Sequence, residues 1–191
     1  SEGEITDLHV GLKGTMNALY LKDLADKTRR GLRGRVEAGR SGGGNSYGYD
    51  VVDSSSDNRG QRRINEGKAK IIKRVFQEYA AGKSPRRIAF DLNRDSIPGP
   101  AGRDWGPSTI NGNRTRGTGL LNNELYVGRH VWNRLRYIKN PDTGKRVSKL
   151  NPKEDWIVNE NPDLRIVPQE LWDTVKSRQA SVKKNTRTDI K

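Results

Sequence analysis

The strongest constraint on this chain is residues 7–39, which have the pattern of one long helix. Its apolar stripe is dense in the first half and thins in the second, where Thr28, Leu32 and Val36 continue it. A helix of about 30 residues is about 45 Å long, more than a chain of this size can cover. We therefore expect its first half to pack on protein and its second half to project onto DNA. The dense part of the stripe comprises Leu12, Met16, Leu19, Tyr20 and Leu24.

Positive charge is concentrated in the second half of this helix. Residues 27–40 hold six cations against Glu37 alone, whereas residues 1–26 are net acidic. The whole chain carries +14, so an anionic partner is expected. Six cations over four turns suit the phosphates along a DNA groove. The alternative is a solvated helix face with arginines favoured by the helix dipole. The predicted DNA contacts are Lys27, Arg29, Arg30, Arg33, Arg35 and Arg40.

A glycine-rich segment, residues 41–46, follows the basic stretch. Its three consecutive glycines end the helix and predict a flexible tether. Small residues beside a DNA-contacting helix permit close approach to a minor groove. An ordinary interdomain linker explains the same composition, and the two interpretations are compatible.

A compact second unit begins at Tyr47. Residues 47–64 predict a small hairpin, and residues 66–80 predict an amphipathic helix stopped by Gly82. Ser84 and Pro85 have the N-cap and N1 signature of a further helix. The buried faces of the two helices are expected to comprise Ala69, Ile72, Val75, Phe76, Tyr79 and Ala80, then Ile88, Ala89 and Leu92.

The remainder of this unit predicts a loop at residues 98–107, a short polar helix at residues 108–114 and a strand at residues 126–133. Together with the preceding helices, this order is typical of a helix-turn-helix with a wing. The polar side chains suit base edges or phosphates, although each also suits a turn, Asn111-Gly112 above all. The candidate contacts are Arg86, Arg87, Ser108, Thr109, Asn111, Asn113, Arg114 and Arg116.

Several classes of protein are disfavoured by what the sequence lacks. Without cysteine there is no disulfide framework and no thiolate zinc site, and His9 and His130 are the only histidines. We therefore predict no metal site and no cofactor. No apolar run is long enough for a membrane span, and no secretory signal is found, so no membrane association and a cytoplasmic location are expected. Because the chain starts at Ser1 without methionine, we expect it to be part of a longer protein.

Eight segments resemble the large serine recombinases of phage integrases and transposons. The first looks like the long helix that closes their catalytic domain, and the others look like the recombinase domain that follows it. The resemblance covers nearly the whole chain in order. Its segments are residues 24–40 (LADKTRRGLRGRVEAGR), 47–49 (YGY), 66–79, 84–98, 105–110, 121–129, 132–134 and 166–172.

This resemblance implies site-specific cutting and rejoining of double-stranded DNA through 5′-phosphoserine linkages, with dimers or tetramers of the full-length enzyme. The family's nucleophilic serine lies in the catalytic domain upstream, so none is assigned here and the fragment should be inactive alone. Neither Ser41 nor Ser54, Ser55 and Ser56 has a base beside it. We expect residues 1–40 to close the catalytic domain, 41–46 to link, 47–180 to form the recombinase domain and 181–191 to be a basic tail.

The expected fold class is mainly α with a small β component: a long N-terminal helix, a glycine-rich linker and a compact, winged-helix-like domain. Two other functions fit the composition. One is a stand-alone DNA-binding regulator without recombination. The other is an RNA-binding or ribosome-associated protein, which would usually stack bases on exposed aromatic residues. Tyr47, Tyr49 and Trp105 could do so, but packing in the core or a loop explains them as well.

Overall fold

The computed structural model describes residues 7–52 and 58–188, with side chains at residues 10–52 and 58–182, and about half of the chain is helical. Helices are α1 (Asp7–Glu37), α2 (Glu66–Ala80), α3 (Pro85–Arg94), α4 (Pro107–Asn111) and α5 (Gln169–Thr188). Strands are β1 (Tyr49–Val51), β2 (Arg62–Ile64), β3 (Arg129–Trp132), β4 (Leu135–Lys139), β5 (Arg146–Leu150) and β6 (Ile157–Glu160). The predicted mixture of mainly helix with a small β component is confirmed.

The long first helix is confirmed, and α1 extends over 31 residues. Its apolar stripe is exposed within this chain: Met16 and Tyr20 keep 62% and 66% of their surfaces accessible. The opposite end of α1 is anchored, because Val36 is fully buried near Gly42 and Trp132. The end of the basic half is therefore packed on the fold, where α1 lies beside β6, and its projection onto DNA stays a prediction.

The core of the second unit lies between α2, α3, α5 and the irregular segment before β3. Phe76 on α2 is fully buried, stacks on Trp172 of α5 and meets Tyr126 edge to face. Tyr49 of β1 also stacks on Tyr126, at 6.0 Å between ring centroids. The helical spacing in α2 and α3 predicted this core correctly, except that Ala80 is only partly buried.

The helix ends follow from local sequence chemistry. The Asn65 side chain accepts a hydrogen bond from the backbone N–H of Lys68 and caps α2. Gly82 has a φ of +107°, which stops the chain from continuing as a helix. Ser84 caps α3 through the N–H of Arg87, and Pro85 occupies its first turn. These predicted signals are confirmed.

The described strands form three antiparallel pairs: β1 with β2, as predicted, β3 with β6, and β4 with β5. The predicted strand over residues 126–133 is wrong in its first part. There the chain forms a 3₁₀ turn, Glu124–Val127, and β3 begins only after Gly128. Leu125, Tyr126 and Val127 are all buried, whereas a strand would point alternate side chains outward.

The last helix is longer than predicted. Residues 166–172 resemble the helix that usually ends the family's domain, but α5 starts at Gln169 and continues to Thr188. The preceding Ile166 and Val167 instead donate backbone hydrogen bonds to the carbonyl of Tyr126. Residues 181–188, expected as a basic tail, therefore continue α5.

The anchored end of α1 generates a stability prediction. Replacing Val36 with Ala removes buried methyl groups, so we expect the free energy of unfolding to fall by about 1–2 kcal/mol. Leu24→Ala on the exposed half of the same helix should change it by less than about 0.5 kcal/mol. Urea denaturation of both variants measures the difference. Equal effects would show that the end of α1 is not packed as described.

Candidate nucleic-acid interface

The cations of α1 lie on an exposed helix surface. Arg29, Arg30, Arg33 and Arg35 are exposed. Lys27 pairs with Asp23 at 2.7 Å and Arg33 pairs with Glu37 at 2.8 Å, one turn away along the same helix. Such exposed pairs contribute little free energy, and phosphates can replace them. The basic half of α1 therefore remains available to an anionic partner.

Part of this surface forms one wall of a cleft. Arg29, Arg30 and Arg33 of α1 line a cavity of about 570 Å³, opposite Trp132 and Asn133. Arg29 donates a hydrogen bond to Asn133 Oδ1 at 3.0 Å, so this predicted DNA contact also joins α1 to the domain. Acidic side chains of Asp26, Glu154 and Asp155 line the same cleft.

The linker, residues 41–46, is fixed at its start. Ser41 is buried, and its backbone N–H donates to the Gly60 carbonyl at 2.7 Å. A Cβ on Gly42 would lie only 2.5 Å from Val36 Cγ2, so this glycine permits close packing. The expected flexible tether is therefore wrong for Ser41 and Gly42, and exposed residues are confined to 43–45. Arg40 is partly buried at the start of this segment.

Helix α4 presents the predicted polar group. Ser108 and Asn111 are exposed and Thr109 is partly exposed, while Ile110 between them is fully buried. Gly112 then ends the helix at φ +52°, and a Cβ there would overlap the Thr118 carbonyl oxygen at 1.9 Å. The backbone of residues 112–119 consequently folds back closely on the end of α4.

The turn at residues 113–118 presents Arg114 and Arg116 to solvent. Asn113 has the turn chemistry considered from the sequence: its Oδ1 accepts from the N–H of Arg116 at 3.0 Å. Buried Asn122 donates to the carbonyls of Asn111 and Thr118 and fixes both ends of the turn. Sequence analysis quoted Asn122 only within a family segment and gave it no role.

Lys176 of α5 bonds to the residues that hold this turn. Its ammonium donates to Asn122 Oδ1 and to the carbonyl of Leu121 at 2.6 Å. Burial lowers the pKa of Lys176 to about 8, and the nearby Arg114 charge acts in the same direction. An interior lysine thus links α5 to the turn that carries the exposed arginines.

Arg86 and Arg87 lie apart from these elements, in the first turn of α3. Arg87 has partners within the chain, because it forms an ion pair with buried Asp91 and lies over the Phe90 ring. Lys83 also bonds to Asp91, and this contact is the main cause of the lowered pKa of the carboxyl. A DNA contact by Arg86 or Arg87 stays a prediction.

The remaining elements converge around two neighbouring clefts. One, of about 340 Å³, lies between the linker, Arg62, Arg116 and β3, and it shares Trp132 and Asn133 with the α1 cleft. The other, of about 450 Å³, joins the linker to the start of α4. The three clefts therefore connect α1, the linker, α4 and the turn. The predicted DNA contacts that line them are Arg29, Arg30, Arg33, Ser108, Thr109 and Arg116.

Sequence analysis missed the basic hairpin formed by β4 and β5. Its strands and turn carry five cations against Asp142, and all five are exposed. Arg116 donates to the Ser148 carbonyl at 3.1 Å and thereby joins the hairpin to the turn. The missed cations are Arg136, Lys139, Lys145, Arg146 and Lys149. They alternate with apolar residues such as Ile138 and Val147. This alternation indicates a basic hairpin, but a charge count over longer segments does not reveal it.

The aromatic residues considered for base stacking are mostly interior. Tyr49 is fully buried, and Trp105 is buried with its Nε1 donating to the Ile97 carbonyl. Tyr47 is partly buried edge-on against Trp105. The packing interpretation is confirmed for Tyr49 and Trp105. Tyr137 on the hairpin is exposed, but the Arg146 guanidinium lies 4.1 Å from its ring centroid.

The described residues include no cluster of acidic or histidine side chains suited to a metal ion. None of their helices has the length and hydropathy needed to cross a bilayer. Of the serines considered as nucleophiles, Ser41 is buried and its Oγ lies near the backbone of the linker. Ser54, Ser55, Ser56 and the side chain of His9 lie outside the described residues.

Comparison with known proteins identifies the class. A family model described as Recombinase matches residues 66–182, which extend from α2 into α5. This match identifies a segment of a DNA-recombination enzyme, of the type that lies beyond the catalytic domain of serine recombinases. The chain belongs to the Recombinase family, and the predicted relationship is confirmed. Searches of curated proteins and of solved structures found no match.

His130 provides a pH-dependent probe of this surface. Burial lowers its pKa from 6.5 to about 4, and the Arg62 charge adds to this effect. Unfolded histidine takes up a proton below about pH 6.5 while the folded side chain resists it, so the free energy of unfolding should fall between these pH values. Replacing His130 with Gln should reduce this fall between pH 6.5 and 5, measured by urea denaturation.

The variant His9→Gln controls for removing a histidine as such. If His130→Gln and the unaltered chain lose the same free energy of unfolding between pH 6.5 and 5, His130 is not in the buried, cationic surroundings described.

Proposed function

We propose that this chain is the DNA-binding portion of a site-specific serine recombinase and recognises the attachment site for an upstream catalytic domain. Membership of the Recombinase family supports a role in recombination. The observation that carries the assignment of DNA binding to this surface is that exposed cations of α1 and of the turn at residues 113–118 line two clefts that share Trp132 and Asn133.

Duplex DNA is the partner that matches this geometry. A helix fits the major groove, and the cations of α1 succeed one another along a straight axis as phosphates do along a groove. The exposed glycines of the linker permit close approach to the minor groove that comes next along the DNA. Ser108, Thr109 and Asn111 of α4 would then contact base edges in a neighbouring major groove, with Arg114 and Arg116 beside them.

The β4–β5 hairpin is the counterpart of the wing in this proposal. It follows α4 and the turn in the chain, carries exposed cations and is joined to the turn through Arg116 and Ser148. A two-stranded ribbon with alternating basic side chains can follow the DNA backbone beside a helix. This arrangement supports a winged-helix-like mode of binding.

In this proposal the catalytic steps belong to a separate catalytic domain upstream. In the proposed reaction a serine there attacks a DNA phosphodiester and forms a 5′-phosphoserine linkage while the 3′-hydroxyl of the cut strand leaves. The 3′-hydroxyl of a new partner strand then attacks that linkage and releases the serine. The present chain would position the catalytic domain on the DNA. Helix α1 would join that domain to the DNA, and the second unit would select the site. Dimers or tetramers of the complete enzyme would bring two such sites together.

Salt dependence tests DNA binding directly. If about eight phosphates are neutralised, log K against log salt for a duplex should have a slope near −7, at about −0.9 for each contact. Fluorescence anisotropy of a labelled duplex at several salt concentrations measures this slope. A slope near zero excludes DNA binding of the proposed kind, and stronger competition by structured RNA than by duplex DNA would favour an RNA-binding protein.

Arg114 tests sequence recognition. If it contacts a base, Arg114→Ala should cost about 1–3 kcal/mol at selected base positions and leave binding to other sequences largely unchanged. Affinities for a panel of single-base variants of a selected duplex measure the pattern. Lys73→Ala, on an exposed position of α2, serves as the matched loss of charge. Uniform weakening on all duplexes would reassign Arg114 to a phosphate.

A further inference from the structure

The cleft between the linker and β3 has an excess of arginine. Arg62, Arg116, Arg129 and Arg134 line it, and among the described residues that line it Glu124 is the sole carboxylate. Glu124 pairs with Arg129 at 2.8 Å and also with Arg134, and Glu160 outside the cleft lining pairs with Arg129 at 3.3 Å. Among the described residues, no carboxylate lies within ion-pair distance of Arg62 or Arg116. The cleft therefore holds more positive charge than the chain neutralises.

Two of these arginines also hold unused donors. The Nε atoms of Arg62 and Arg134 are buried without an acceptor among the described residues. The Arg134 side chain is only 13% exposed, with its guanidinium over the Trp156 ring. Burial lowers the pKa of Arg62. An unmet guanidinium donor away from water is costly, so the arrangement favours an acceptor that enters the cleft.

The position of the cleft indicates the source of that acceptor. It shares Trp132 and Asn133 with the α1 cleft, and Asn45, Ser46 and Gly117 with the α4 cleft. A DNA strand that passes from α1 to α4 would cross it. Gly43 and Gly44 form part of its wall and have no side chain to obstruct entry. Its volume of about 340 Å³ is room for a phosphate group with hydration water.

We propose that Arg62 and Arg134, with Arg116 at the rim, form a pocket for one backbone phosphodiester of the bound DNA. The inference rests on the proposed function and specifies where the strand is held as it passes the linker. Arginine suits this ligand because its planar group bonds to two phosphate oxygens at once. The pocket would contact no base, so it would set the register of the bound DNA without selecting its sequence.

His130 lines the same cleft and reports its occupancy without any substitution in the pocket. The charged groups that line the cleft with it are Glu124 and the four arginines. A phosphodiester placed there should raise the pKa of His130 by about one unit or more, because an opposite charge favours the imidazolium. Histidine NMR of the full chain, with and without duplex DNA, measures the change. His9→Gln assigns the two histidine signals.

Substitutions give a second measurement. Arg62→Gln and Arg134→Gln should each reduce the magnitude of the salt slope by about 0.9, the value for one phosphate. Lys73→Gln, a matched loss of charge on α2, should leave the slope unchanged. Circular dichroism of each variant establishes whether it is folded. If a variant is unfolded, the His130 titration still tests the pocket, because it needs no substitution of Arg62 or Arg134.

The outcomes separate this inference from the proposed function. Failure of the unaltered chain to bind duplex DNA with salt dependence overturns both. The pocket alone is overturned if the chain binds duplex DNA with salt dependence, the His130 pKa does not change, and Arg62→Gln and Arg134→Gln keep the salt slope of the unaltered chain. A His130 pKa raised by millimolar inorganic phosphate but not by duplex DNA overturns the assignment to the DNA backbone.

Discussion

Val36 is fully buried at the end of α1, against a glycine of the linker and an indole of β3. This contact sets the relation between the basic helix and the rest of the chain, because the linker turns away immediately after it. Asn159 of β6 adds hydrogen bonds to the Val36 and Glu37 carbonyls, at 3.4 and 3.5 Å. The cations of α1 are thereby held at a defined position beside β3 and β6. A flexible linker alone would not fix their position.

The charges of the chain are arranged in two ways. At the junction of α2 and α3, buried Asp91 is within ion-pair distance of Lys83, Arg87 and Arg94, so these cations serve the fold. Around the linker the balance reverses, and arginines outnumber the carboxylates that line the cleft. Removing one member of a buried, paired group leaves the others uncompensated, whereas cations without a partner are available to a ligand. This contrast separates structural charge from charge that can bind DNA.

Local features of the fold could be predicted from the sequence because their causes are local. The stripe of α1, the core spacing of α2 and the Ser84-Pro85 helix start are confirmed for that reason. Tyr126 was assigned to a strand because β propensity does not reveal that three successive residues enter the core. Arg62 and Arg134 line one cleft although they lie 72 residues apart in sequence, and no periodicity encodes that. The anchoring of α1 through Val36 was missed for the same reason.

If duplex DNA crosses the linker between α1 and α4, as proposed, a cleavage probe attached to the linker will cut it nearby. The chain has no cysteine, so a single cysteine that replaces exposed Asn45 can carry iron-EDTA on a duplex selected from a random pool. We expect cuts on both strands confined to one short stretch, between the two regions that the protein protects from hydroxyl radicals. Cuts spread evenly along the duplex, or lying outside both protected regions, would contradict it.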